Sequence, residues 1–126
     1  MLINLSNHPS AKWGEDQKNA AILKFGDIKD YQFPEINPEV TISEIGDTAQ
    51  KVFIEIRDAN HSEYCIHLMG EFTFCYQFAR LCEINAIPCF VSTTKREVEI
   101  KENGEKISKF KFIKFRPYFD NLFVKP

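Results

Sequence analysis

Tyr64-Cys65-Ile66-His67-Leu68-Met69 is a nearly unbroken apolar run, and Gly70 ends it. A strand of this kind has no polar face to turn toward water. It has to be covered on both sides, as the central strand of a parallel sheet is. The flanking segments supply the cover. Before the run, Thr41-Ile42-Ser43-Glu44 has capping-box spacing, and Ile45, Ala49, Val52, Phe53 and Ile56 follow at helical intervals. After it, a helix from about Glu71 to Asn85 carries Phe74, Phe78, Leu81 and Cys82 on one stripe.

The same alternation extends to both sides. Leu2 to Leu5 reads as a short buried strand. Gly14 reads as the cap of a helix whose first turn holds Glu15 and Asp16, and Gly26 closes it. Ile28 to Phe33 reads as a second strand, ended by Pro34. Pro88 introduces a fourth, Cys89-Phe90-Val91, which is expected to exit into a polar segment, Ser92-Thr93-Thr94-Lys95-Arg96. The order β-α-β-α-β-α-β predicts an α/β, Rossmann-like three-layer sandwich with four parallel strands and right-handed crossovers.

The remainder changes character. Glu97 to Lys101 alternates, Asn103-Gly104 marks a turn, and Ile107 to Phe115 is strand-like again. Residues 97–116 are therefore expected as a C-terminal antiparallel β-hairpin on a single domain spanning 1–126. A three-residue loop with positive φ at Gly104 sets Val98 against Phe110, Glu99 against Lys109 and Glu97 against Lys111, so every pair is compatible. Ile113 breaks the alternation and marks a bulge or bend. The interleaved lysines and phenylalanines of 109–116 resemble a single-strand nucleic-acid platform. Strict alternation sends the two residue types to opposite faces, however, and the lysines then read as edge protection. The closing segment Asp120–Pro126 stays open between packing on a partner and fraying.

Composition sets limits on function. Hydrophobic residues make up 44% of 126 residues, with twelve Phe, which is enough apolar surface to offset chain entropy. The net charge of −2 gives no global field for a long nucleic acid, so an anionic ligand must be held by local groups. No apolar run approaches the ~18 residues of a membrane span and no signal peptide opens the chain, so a cytoplasmic location without membrane contact is expected. Cys65, Cys75, Cys82 and Cys89 fit no zinc spacing and read as reduced core residues. Three scattered histidines and no carboxylate cluster lead to the expectation of no metal and no cofactor.

Open α/β sheets bind ligands beyond the carboxyl ends of their strands. Three segments are expected on that rim: Ser6-Asn7-His8-Pro9-Ser10, Gly70-Glu71-Phe72-Thr73 and Ser92-Thr93-Thr94-Lys95-Arg96. Together they offer hydroxyls, an amide, an imidazole, two cations and a helix N-terminus, a set suited to a phosphate-bearing ligand. Each also has a plainer role as a turn tie, strand end or solvated pair. Glu71 would repel a phosphate unless it pairs with Lys95 or Arg96. His8 is the acid–base candidate, since imidazole ordinarily ionises near neutrality. His67 lies inside a strand and reads as a hydrogen-bonded core residue, while His61 sits in a loop. The absence of GxGxxG, GxxxxGK[ST] and GxSxG argues against dinucleotide, P-loop and hydrolase-elbow chemistry.

LINLSNHPSAKW, CIHLMGEFTF, CFVSTTKR and the hairpin ending KFKFIKFR resemble a family of small CRISPR-associated proteins. In architecture the chain is similar to the CARF-like ring nucleases, compact Rossmann-like domains that act on cyclic oligoadenylate. The resemblance implies a cyclic oligoadenylate bound across a two-fold homodimer and cleaved by metal-independent attack of a ribose 2′-OH. It implies catalytic roles for His8, Asn7 and Lys95. Ser6, Ser10, Gly70, Glu71, Thr73, Ser92, Thr93, Thr94 and Arg96 would then hold ribose and phosphate. Two alternatives stay open: a sensor or sponge that binds a cyclic nucleotide without cutting it, and an interaction protein whose polar rim only caps its helices.

Overall fold

The computed structural model describes residues 1–120. Five strands form one sheet in the order β2-β1-β3-β4-β5, where β1 is Leu2–Ser6, β2 Ile28–Gln32, β3 Cys65–Met69, β4 Cys89–Ile100 and β5 Lys106–Pro117. The first four are parallel and β5 returns antiparallel to β4. Three helices, α1 (Glu15–Phe25), α2 (Ile42–Ala59) and α3 (Phe72–Ile84), make the crossovers. The chain steps from β1 to β2 in one direction and from β2 to β3 to β4 in the other. Right-handed connections therefore send α1 to one face of the sheet and α2 and α3 to the other. No helix among the described residues is long and apolar enough to cross a membrane.

Two apolar cores follow from this layering. Under α2 and α3, Ile3 and Leu5 of β1 and Ile66 and Leu68 of β3 pack against Val52, Ile56, Phe74 and Phe78. Under α1, Leu2, Phe90 and Phe115 pack against Trp13 and Ala21. Both expected helical stripes are buried as the spacing requires, with Leu81 only half-buried. Thr41 and Glu44 close a capping box at the start of α2, each accepting from the other's backbone N–H. All four cysteines are free, and all but Cys65 are fully buried. Burial pushes the Cys75 thiol up to about 12, with help from the Glu71 charge, so it stays protonated at neutral pH.

Two expectations need correction. Ser92–Arg96 is not an exit loop, because β4 runs unbroken to Ile100 and β5 pairs with it throughout. β-branched Thr93 and Thr94 favour that extended backbone. The hairpin loop does have three residues and Gly104 has φ +85°, but the loop is Glu102-Asn103-Gly104, closed by Lys101 N–H donating to the Glu105 carbonyl at 2.8 Å. The register is accordingly shifted by two, with Val98 opposite Ser108, Glu97 opposite Lys109 and Glu99 opposite Ile107. An even shift leaves every side chain on its expected face. Ile113 is the extra residue of a bulge, between the pairs Thr93–Lys114 and Thr94–Phe112. Of the closing segment, residues 121–126 lie outside the described residues.

Gly70 has a steric role. A Cβ there would lie 2.3 Å from Cζ of Phe33, whose ring also packs edge-on against Phe74. Gly70→Ala is expected to displace that ring and to cost about 1–3 kcal/mol, as overpacking does. Urea denaturation measures it as a lower midpoint at unchanged slope.

Candidate functional site

A polar row crosses the α1 face of the sheet at one level. Asp30 of β2 is in register with Asn4 of β1, Asn4 with His67 of β3, and His67 with Phe90 of β4. Ser92 follows two residues beyond Phe90 on the same face. Asn4 and His67 are fully buried and Ser6 nearly so, which obliges their polar atoms to find partners inside the protein.

Asn4 is the hub. Its Nδ2 donates to Asp30 Oδ1 at 2.8 Å and to the His8 carbonyl at 2.9 Å. Both partners are pure acceptors, so the amide orientation is unambiguous and Oδ1 must point the other way. There it meets Ser6 Oγ at 2.8 Å and His67 Nδ1 at 2.8 Å. An amide oxygen can only accept, so the proton of neutral His67 sits on Nδ1. His67 Nε2 is then the acceptor for the Ser92 hydroxyl, 2.6 Å away, and Ser92 Oγ in turn accepts from Gln17 Nε2 at 3.0 Å. Trp13 and Phe115 stand edge-on to the imidazole at 5.1 and 5.6 Å. Burial lowers the His67 pKa to about 4, and the nearby His8 imidazole adds to the effect by disfavouring a second positive charge.

The same network fixes the loop between β1 and α1. The His8 carbonyl receives Asn4 Nδ2, Trp13 Nε1 at 3.1 Å and, when its single proton turns that way, Ser6 Oγ at 3.0 Å. The His8 backbone N–H donates back to Ser6 Oγ. Ser10 clasps both oxygens of Asp30, through its backbone N–H at 3.0 Å and its hydroxyl at 2.9 Å. Partial burial pushes the Asp30 carboxyl up, but the hydrogen bonds from Asn4 and Ser10 outweigh it and hold the carboxyl below its ordinary value. The side chains of Asn7 and His8, in contrast, are exposed.

This loop stands at the switch point of the sheet. The helices leaving β1 and β3 diverge to opposite faces there, and Asn7 N–H donates to the Met69 carbonyl at the end of β3. A cleft of about 500 Å³ opens beside it, with Asn7, Pro9, Asp30, Gln32, Phe33 and Pro34 among its walls.

The other candidates from the sequence are placed as follows. Glu71 occupies the N-cap of α3, accepting from Phe74 N–H at 2.8 Å and from the Thr73 hydroxyl, so the chain's own carboxylate uses that helix end. Its hydrogen bonds, that of Thr73 foremost, lower the Glu71 pKa. Thr93 and Lys114 exchange hydrogen bonds across the hairpin. Ser92, Thr94 and Arg96 alternate onto the α1 face, Arg96 donating to Ser108 Oγ at 3.0 Å. Lys95 is on the opposite face, directly across from Lys111. Ser6, Ser10, Ser92 and the backbone of His8 are thus joined in one network and Asn7 adjoins it, whereas Gly70, Glu71, Thr73, Thr93, Thr94, Lys95 and Arg96 are not part of it. Asn4, Gln17, Asp30 and His67 complete it and are absent from the sequence-derived set. An asparagine at the centre of the apolar strand LINLS, and a histidine inside the apolar run of β3, were the available signals. Among the described residues, no three His, Cys, Asp or Glu side chains gather as a metal site would require.

The family model described as the Uncharacterized protein MJ1673 family matches residues 1–116. The chain belongs to that family. No curated protein and no solved structure matches it.

His67 links the site to pH. Its folded pKa of about 4 lies below the ordinary 6.5, so the unfolded chain binds the proton first as pH falls. The stability held by neutral His67 is complete above pH ~6.5 and is lost as pH falls through the window down to ~4, about 3 kcal/mol in all. Urea unfolding from pH 7 to 4 should show this component in the native chain and not in His67→Gln. Ring chemical shifts by NMR should hold the Nδ1–H tautomer, unchanged, down to pH 5.

Proposed function

We propose that the chain is a ring nuclease that binds a cyclic oligoadenylate and opens it by attack of a ribose 2′-OH on the neighbouring phosphorus. In that step the 2′-oxygen forms a bond to phosphorus as the P–O5′ bond breaks. The products are a 2′,3′-cyclic phosphate and a free 5′-hydroxyl. One proton leaves the 2′-OH and one is delivered to the departing oxygen. No metal is required by this chemistry, which depends on in-line positioning and on charge stabilisation at phosphorus.

The observation that carries the reading is the fixed β1–α1 loop. Its backbone is pinned at the His8 carbonyl by donors from Asn4 and Trp13, with Ser6 within reach, yet Asn7 and His8 leave their own side chains exposed. Preorganisation of that kind suits groups that act on a ligand. The exposed imidazole of His8 suits proton transfer, and Asn7 suits orientation of the ribose. Strand alternation favours Arg96 over Lys95 as the cation on this face, since Lys95 stands across from Lys111 on the other. The sequence likeness to the CARF-like ring nucleases supplies the substrate class, and a two-fold homodimer suits a symmetric ring. Glu71 at the α3 N-terminus removes one anion seat by capping the helix itself, and this favours the interaction-protein reading, in which the polar rim only caps helices, as the alternative.

The test is incubation with labelled cyclic tetra- and hexa-adenylate in the presence of EDTA. Linear product ending in a 2′,3′-cyclic phosphate is expected. His8→Ala should bind as before and cleave about 10²–10⁴-fold more slowly, the usual worth of a positioned acid or base. Arg96→Ala should lower the rate more than Lys95→Ala. Retention without product identifies a sensor or sponge, and neither binding nor product contradicts the proposal.

A further inference from the structure

Beyond the sheet, β4 and β5 continue as a two-stranded arm. β3 pairs with β4 only at Cys89 and Phe90, so among the described residues the ribbon from Thr94 to Phe112 has no third strand. From Thr94 to Ile100 it extends by roughly 20 Å past the carboxyl rim. An isolated hairpin is marginal in water unless its apolar face is covered. This arm has such a face. Cross-strand pairing puts Thr94, Arg96, Val98 and Ile100 of β4 with Phe112, Phe110, Ser108 and Lys106 of β5 on the α1 side. Phe112 packs on Phe115, centroids 5.0 Å apart, and is thereby continuous with the core. Farther out the apolar residues are bare: Phe110 is 70% exposed, Ile100 68% and Val98 54%. Arg96 and Lys106 flank them, and no acidic residue shares that face.

A surface of complementary kind exists on the same molecule. At 100° per residue, Glu15, Asp16, Asn19, Ile22 and Leu23 fall within one outward arc of α1 of about 120°. Leu23 is 91% exposed, and both carboxylates at the head of the helix face solvent. The molecule's own arm leaves its α1 behind at Phe112 and does not cover this stripe. The outer edge of β5 carries Lys109, Lys111 and Lys114, which guard against simple edge-to-edge strand addition.

We propose that the arm docks on a second copy of this chain, its apolar, basic face lying across the apolar, acidic stripe of that copy's α1. Each copy has one arm and one such stripe, so a two-fold axis satisfies both contacts at once and closes the assembly. One contact covers Phe110, Val98 and Ile100 and also Leu23, which an anionic bilayer or a nucleic acid on the arm would leave bare. The surface deepens the two-fold arrangement proposed above, and its test needs no nucleotide, so it fails separately from cleavage.

Sedimentation equilibrium of the full chain reads the outcome. The native protein is expected at twice the 14.7 kDa chain mass. Phe110→Glu and Leu23→Glu should each sediment at the single-chain mass, with thermal unfolding still cooperative because both side chains are exposed. Lys106→Glu should weaken the dimer, and adding Asp16→Arg should restore it. A native chain of single mass at every concentration overturns the proposal, as does a dimer indifferent to Phe110→Glu or to Leu23→Glu. Flotation of a monomeric native chain with anionic phosphatidylserine vesicles, lost in Phe110→Glu, overturns it in favour of a membrane contact.

Discussion

The carboxamide of Asn4, on a residue buried in β1, makes four hydrogen bonds to the protein around it. Two buried donors meet acceptors from β2 and from the β1–α1 loop, and one buried oxygen meets donors from β1 and β3. Each bond of this sort contributes only about 1 kcal/mol net, but leaving one unmade inside the protein costs more than making it gains. The neighbours are therefore held to one arrangement. Asn4 dictates the tautomer of His67, the tautomer dictates where the Ser92 proton points, and the same amide fixes the carbonyl of His8. A polar residue in the middle of a buried strand thus controls the geometry of an exposed loop.

That control matters because of where the loop lies. The order β2-β1-β3-β4-β5 reverses direction at β1 and β3, so α1 and α3 leave on opposite faces. Asn7 lines the cleft beside that point and His8 follows it in the loop, whose backbone is tied to the core beneath while both side chains are in solvent. His67, although the most central histidine, is saturated and kept neutral by burial; it serves the arrangement of its neighbours. The imidazole of His8, by contrast, is exposed.

Much of the fold was legible in local signals. The Thr41–Glu44 box, the closing Gly26, the stripes of α2 and α3 and the apolar run of β3 each specify an element through interactions a few residues apart. The positive φ at Gly104 and the bulge at Ile113 were legible for the same reason. The end of β4 was not. Hydroxyls and charges at Ser92–Arg96 look like a loop until β5 supplies a hydrogen-bonding partner along their whole length, and that partner lies some twenty residues away. The hairpin register slipped by two because two placements of a three-residue loop differ only in weak cross-strand pairs. The site was half legible. Ser6, Asn7, His8 and Ser10 are contiguous and polar, but Asp30, Asn4, His67 and Ser92 become neighbours only when four strands are laid in register. Which of Lys95 and Arg96 faces the site depends on parity along a strand that had been read as a loop.

The single tryptophan offers the most direct view of the Asn4-centred network. Trp13 is buried, and its indole N–H shares the His8 carbonyl with Asn4. Hydrogen exchange of that one proton, followed by NMR in the native protein, reports whether the loop is held. Exchange as slow as that of the β1 and β3 amides is the predicted result. Exchange at the rate of a free indole, with the core strands still protected, would show a loop that opens independently of the sheet and would contradict the account.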